Sequence, residues 1–200
     1  MPQISLTEFV DFIAKSGTPK LTLVRIVKQR HLAGYDPRTD FYKPFRDGLV
    51  QLHKNGQPKS ALDSLVAGQT DAKKQTAYPD LLKGYKRFLG RKTVQWFAPP
   101  QKLWTHSSLT VSVNPELGLE INGRRHAVKL YFKADKLTKL RMDAITQLMH
   151  HVLGTGDGSP TFSILDVRNG KLISAPAPQP SLMPLLEGEA LAFATIYFRV

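Results

Sequence analysis

Asn122 and Gly123 stand between two runs in which apolar and polar residues alternate, and no other feature constrains this chain so tightly. Asparagine followed by glycine favours a two-residue loop with left-handed backbone at both positions. Before the pair, Leu117, Leu119 and Ile121 alternate with other residues. After it, His126, Val128, Leu130 and Phe132 alternate with Arg125, Ala127, Lys129, Tyr131 and Lys133. A tight hairpin would set Ile121 opposite Arg124, Glu120 opposite Arg125, Leu119 opposite His126 and Glu116 opposite Lys129. The apolar side chains then share one face, and the two acid–base pairs share the other.

The residues before this hairpin read as helical. Ser5 and Glu8 fit a capping box, and Phe9, Phe12 and Ile13 form the stripe that follows, ending at Gly17. Thr18-Pro19 opens a second helix to about Arg30, carrying Leu21, Val24 and Val27. A turn is expected at Gly34-Tyr35-Asp36-Pro37. Asp40 or Thr39 then caps a helix with Phe41, Phe45, Leu49 and Leu52 on one side. A short helix from Pro58 to Gly68 follows, and another from Tyr78-Pro79 to Leu89, while Trp96 to Pro100 reads as a connector.

The period then changes. Residues 109–113 and 162–167 alternate as strands, and Asn169-Gly170 turns the second back into 171–174. Helical spacing of Leu137, Leu140, Ala144, Ile145, Leu148, Met149 and Val152 places a helix between the hairpin and the 162–167 strand. After the proline-rich run 175–180, a closing helix occupies 181–198. This order implies an α/β (α+β) fold: a mixed sheet of about five strands with a β–α–β crossover, flanked by helices and preceded by an all-helical N-terminal region. Residues 1–95 would form the basic helical part and 96–200 the sheet part, packed as one unit.

Charge narrows the functional classes. The chain has 200 residues and a net charge of +12. Residues 1–107 hold 18 basic and 8 acidic side chains, whereas 108–200 hold 10 and 8. The basic residues concentrate in 73–102, where Lys83, Lys86 and Arg87 share a helical face and Arg91 and Lys92 follow. A polyanion is the expected partner, nucleic acid first; the plainer reading is a soluble basic surface. Trp96, Phe97 and Trp104 beside this stretch are either stacking platforms for bases or plugs between helices and sheet. The chain has no cysteine, which excludes disulfides and thiolate chemistry. No apolar run approaches the ~18 residues of a membrane span, and no secretory leader is evident, so a cytoplasmic location and no membrane partner are expected.

The acid–lysine pairing carries the one suggestive constellation. Pro115-Glu116, ten residues, then Ala127-Val128-Lys129 resembles the motif of the PD-(D/E)xK nuclease superfamily, whose core of a helix, three strands, a helix and a strand is similar to the order inferred over residues 80–170. The resemblance maps the first acid onto Glu116 and the lysine onto Lys129, while the middle carboxylate falls on Ala127. Gln147 and His151 stand where one nuclease branch has glutamine and tyrosine. Family members use two acids to hold a divalent ion, and one glutamate beside a lysine holds Mg²⁺ poorly. Glu120, on the same face as Glu116, and Asp166, near the end of a strand, are the candidate replacements.

The expectation is therefore a nucleic-acid-binding protein with a nuclease-like, catalytically degenerate core. Lys83, Lys86, Arg87, Arg91 and Lys92 would hold phosphates, with Lys129 and Lys133 extending the track across the sheet, and no cofactor is required. One alternative is an active nuclease using Glu116, Glu120, Lys129 and Asp166, with Mg²⁺ or Mn²⁺ held by Glu116 and Asp166. The other is a protein–protein adaptor whose basic face meets an acidic partner. His126 reads as a hydrogen-bonded core residue, and His150 and His151 as surface or partner-facing side chains. The glycine-rich 154–158 reads as a turn.

Overall fold

The computed structural model describes residues 1–34, 36, 40–154, 156, 158–174 and 177–200. The turn expected at 34–37, the 154–158 turn and the start of the proline-rich run lie in part outside the described residues.

The Asn122-Gly123 turn forms as the sequence requires, with φ of 50° and 82°. It joins β5 (Leu117–Ile121) to β6 (Arg124–Tyr131) in the expected antiparallel register, from Ile121 opposite Arg124 to Leu117 opposite Val128. α5 (Lys139–Leu153) then crosses over to β7 (Thr161–Asp166), which pairs parallel with β6. β8 (Lys171–Ser174) returns antiparallel to β7. β2 (Val94–Phe97) covers the other edge, giving a five-stranded mixed sheet in the order β2-β5-β6-β7-β8.

The strand at 109–113 is not in that sheet. β2 occupies the edge of β5 that this strand would have used, so residues 94–97 are strand and not connector. β4 (Leu109–Val113) instead pairs with β3 (Lys102–His106) and, in parallel, with β1 (Gln3–Ser5). The result is a second, three-stranded sheet in the order β1-β4-β3. The N-terminal region is thus not purely helical: its first strand completes a sheet with residues more than a hundred positions away, which no local pattern announces.

The helices divide between the faces of the larger sheet. α1 (Leu6–Ile13) starts at the Ser5 capping box, where the Glu8 N–H donates to Ser5 Oγ at 3.2 Å and the Ser5 N–H donates to Glu8 Oε2 at 2.8 Å. With α2 (Thr18–Ala33), α5 and α6 (Met183–Arg199), it encloses one core around Phe9, Phe12, Trp104, Val111, Ala127, Phe162 and Phe193. α3 (Lys43–Lys54), the 3₁₀ segment Lys59–Leu65 and α4 (Ala72–Leu89) enclose the other, around Phe45, Leu49, Tyr78, Tyr85, Leu119, Val128 and Leu165. Both cores draw on residues before and after position 95, so the two halves are interlocked. No described helix is long and apolar enough to cross a membrane.

α4 begins earlier than its proline implies. Asp71 accepts from the N–H groups of Lys73 and Lys74, so the helix starts at Ala72 and carries Pro79 in its interior. The missing proline donor is tolerated because the buried row Tyr78, Leu81, Leu82, Tyr85 and Phe88 fixes the helix on the sheet. Gly84 allows a close approach: a Cβ there would run into the carbonyl oxygens of Val167 and Arg168 in the β7–β8 turn. Gly84→Ala should therefore lower stability by about 1–3 kcal/mol. Gly188→Ala, in open space within α6, should raise it by about 0.5–1 kcal/mol. Urea unfolding midpoints of the two variants test the contrast.

His53 of α3 and Tyr85 of α4 are hydrogen-bonded at 2.5 Å in the second core. Burial lowers the His53 pKa from 6.5 to about 4, so the folded protein keeps this ring neutral where the unfolded chain takes up a proton. The contribution is whole above pH 6.5 and is lost as the pH falls towards about 4. Unfolding midpoints measured across that window should decline in the parent and decline less in His53→Gln.

Candidate functional site

Asn114, Pro115 and Glu116 carry the chain from β4 in the smaller sheet to β5 in the larger one. A proline in this step supplies no backbone donor and favours an extended residue before it, which suits a bridge between sheets. Glu116 lies one position beyond the β5–β6 ladder and meets Lys129 as the register predicts. Its Oε1 accepts from Lys129 Nζ, and its Oε2 accepts from the Leu130 N–H at 2.8 Å.

The face that bears this pair is not open to solvent. Ala127 is fully buried and Lys129 is 4% exposed, because the first core covers that side of β6. A one-sided sheet is the simpler reading of the alternation; here both sides are covered, and the small Ala127 and the aliphatic stem of Lys129 fit the packed face. Lys129 therefore cannot extend a phosphate track across the sheet.

A cavity of about 900 Å³ opens beside the pair, at the C-terminal end of β6 and between the two sheets. Ion pairs ring it. Glu116 holds Lys129, Glu8 holds Arg30, Asp40 holds Arg46 at 3.0 Å, and Asp11 of α1 holds Lys133 at the rim. Burial works against the charge on Arg46, but the carboxylates of Asp40, Glu116 and Asp47 outweigh it and hold the guanidinium pKa above its ordinary value. Tyr42 and Phe132 stack along the wall, with centroids 5.2 Å apart and planes 15° apart. Arg141 joins Asp11 at 3.3 Å and donates to the Tyr131 hydroxyl at 3.2 Å, which fixes α5 to this corner.

The remaining predicted acids lie elsewhere. Both oxygens of Asp166 accept from Asn169, one from its N–H at 3.2 Å and one from its side-chain amide at 2.8 Å, so this carboxylate closes the β7–β8 turn. Glu120 is half-buried opposite Arg125, yet the Arg125 guanidinium sits 4.1 Å from the Phe97 ring centroid and makes no ion pair with Glu120. Among the described residues, no group of three or more His, Asp or Glu is placed to hold a metal ion. The donor set does not fit a divalent cation: one carboxylate is engaged by an ammonium and an amide, the second position is Ala127, and Asp166 is turned into its own hairpin.

The basic candidates separate into two groups. Lys83, Arg87 and Arg91 are exposed along and just beyond α4, and Arg87 also reaches the Asn169 carbonyl at 3.4 Å. Lys86 pairs with Asp63, Lys92 caps the Phe88 carbonyl and lies over the Phe88 ring, and Lys133 is held by Asp11. Trp104 is a plug, buried against Phe9 at 5.7 Å, and Trp96 packs against the second core. His126 is the core residue expected, hydrogen-bonded to Ser163 at 3.0 Å and held below its ordinary pKa by burial and by Arg124. His150 is half-buried, edge-on to Phe162 at 4.9 Å, while His151 is exposed as expected.

Sequence reasoning does not find Arg30, Asp40, Tyr42, Arg46 and Asn114 as site residues. Asn114 does carry a signal, its place next to the Pro115-Glu116 pair; the others arrive by long-range packing that leaves no local mark.

No family model matches the chain, and no curated protein or solved structure matches it either.

Lys129 and Glu116 have side chains only 5% and 13% exposed. Removing one partner alone strands a buried charge, so Lys129→Met should cost on the order of 3–5 kcal/mol. The Glu116→Gln/Lys129→Met double substitution should recover most of that loss. A double-mutant cycle in urea measures the difference.

Proposed function

We propose that the protein binds nucleic acid through the exposed cations of α4, on a nuclease-like core that does not cleave. The observation that carries this reading is the row Lys83, Arg87 and Arg91, exposed to solvent and making no ion pair with a described residue. Lys83 and Arg87 are one helical turn apart, a spacing that puts both ammonium and guanidinium on one side. The Gly84 contact seats the β7–β8 turn against the same helix, so the exposed Lys171 joins the positive ledge. With a net charge of +12 behind it, such a ledge attracts a phosphate backbone and releases its counterions.

The commitments of Glu116 and Asp166 support the non-cleaving part. Each carboxylate already accepts from two internal donors, and the reading needs no cofactor. Of the sequence candidates, Lys83, Arg87 and Arg91 are the phosphate-binding side chains, while Lys86, Lys92 and Lys133 are first of all internal partners.

Fluorescence anisotropy with labelled single- and double-stranded DNA and RNA, over a salt series, tests the proposal. Binding should weaken steeply with salt. The Lys83→Ser/Arg87→Ser/Arg91→Ser triple variant should flatten the log–log slope by about 0.9 for each duplex phosphate it no longer neutralises. Absence of binding at low ionic strength would leave the adaptor reading, with an acidic protein as partner. Cleavage in Mg²⁺ or Mn²⁺ that is abolished by Glu116→Ala would overturn the non-cleaving core.

A further inference from the structure

The cavity between the sheets is not used by the α4 ledge, and three of its features ask for the same ligand. The first is an anion subsite. Lys129 is nearly fully buried and lines the cavity, and its ammonium has three N–H donors. Glu116 Oε1 is the one acceptor it meets among the described residues. A buried ammonium is costly until its donors are matched. Arg46, which feels the Glu116 charge, stands at the same wall.

The second feature is a flat apolar surface. Tyr42 stacks on Phe132, and Phe41 meets Tyr42 edge-on at 4.9 Å; all three line the cavity. The third is a waiting acceptor. Asn114 Oδ1, also in the lining, is buried and makes no hydrogen bond among the described residues. Glu8, Asp40 and Glu116 are each paired with a cation, so the wall carries no free negative charge, and a phosphate would share Lys129 and Arg46 with Glu116 and Asp40.

A ligand that answers all three carries an anion, a planar ring and a hydrogen-bond donor. We infer that the cavity binds a nucleoside monophosphate unit, with the phosphate at Lys129 and Arg46, the base against Tyr42, and a ribose hydroxyl or base amine donating to Asn114. At about 900 Å³ the space lies within the range of small-ligand pockets, ~300–1,000 Å³. A duplex, whose major groove alone is ~12 Å wide, does not enter it. The unit is supplied either as a free nucleotide or as the phosphorylated end of a single strand.

Isothermal titration of the full chain distinguishes these sources. The probes are the four ribonucleoside 5′-monophosphates, the matching nucleosides, inorganic phosphate, and a short single strand with and without a 5′-phosphate. At least one monophosphate should bind, with its nucleoside and inorganic phosphate at least about tenfold weaker. Tyr42→Leu should weaken binding about 5- to 100-fold, as loss of a stacking surface does. Arg46→Gln and the charge-neutral Glu116→Gln/Lys129→Met pair should each weaken the monophosphate more than the nucleoside. A strand that binds only when 5′-phosphorylated identifies the strand end, and a strand that fails while the monophosphate binds identifies the free nucleotide. No binding of any monophosphate at millimolar concentration overturns the inference, as does inorganic phosphate binding equally well, or affinity unchanged in all three variants. The salt series on the α4 triple variant reads the other surface, so either proposal can fail alone.

Discussion

Positive φ at both Asn122 and Gly123 fixes the hand of one turn, and that turn decides which side chains of β5 and β6 face which core. Strand side chains alternate, so a slip of one residue would exchange the two faces completely. Val128 and Leu130 would leave the α3–α4 core, and Lys129 would be driven into it, away from Glu116. Every later element is referred to this register: β7 pairs in parallel along β6, and β2 takes the free edge of β5. The Asn114–Glu116 bridge then sets where the smaller sheet can stand.

Much of this was legible because it is local. The capping box at Ser5, the hairpin register, the crossover helix and the 169–170 turn each depend on residues a few positions apart. The second sheet was not legible. β1 is three residues long and gains its meaning from β4, far along the chain, while β3 and β2 flank a proline pair that reads as a linker. For the site, the Glu116–Lys129 contact followed from register alone, but its burial did not. Alternation shows that two faces differ; it does not show that a helix layer covers the more polar one. Asp40 reads from the sequence as a helix cap and Arg46 carries no local signal; tertiary packing brings both to the cavity.

The basic residues show how charge counted along a sequence overstates the charge a partner meets. Lys86, Lys92 and Lys133 belong to the same excess as Lys83 and Arg91, yet their donors are engaged by Asp63, by the end of α4 and by Asp11. The anchoring cations hold layers together: Lys133 and Arg141 converge on Asp11 and so join β6 and α5 to α1. Lys83, Arg87, Arg91 and Lys171 remain outward around α4 and the β7–β8 turn, where the helix is drawn close at Gly84. Further exposed cations such as Lys15, Arg25, Lys54, Arg124 and Lys136 lie on other elements.

The two ends of the described chain meet in the first core. β1 runs beside β4, and Phe12 of α1 lies edge-on to Phe193 of α6 at 5.1 Å. During synthesis at ~5–20 residues per second, Phe12 would wait about 10–40 s for its partner to be made. Through that interval only the part of α1 that meets α6 lacks its partner, since Trp104, β4 and α5 are made earlier. The opposite core, closed by α3, α4 and the larger sheet, lacks only β7 and β8 once the hairpin has emerged. Translation thus favours an order of assembly in which α6 is the last element to join the first core.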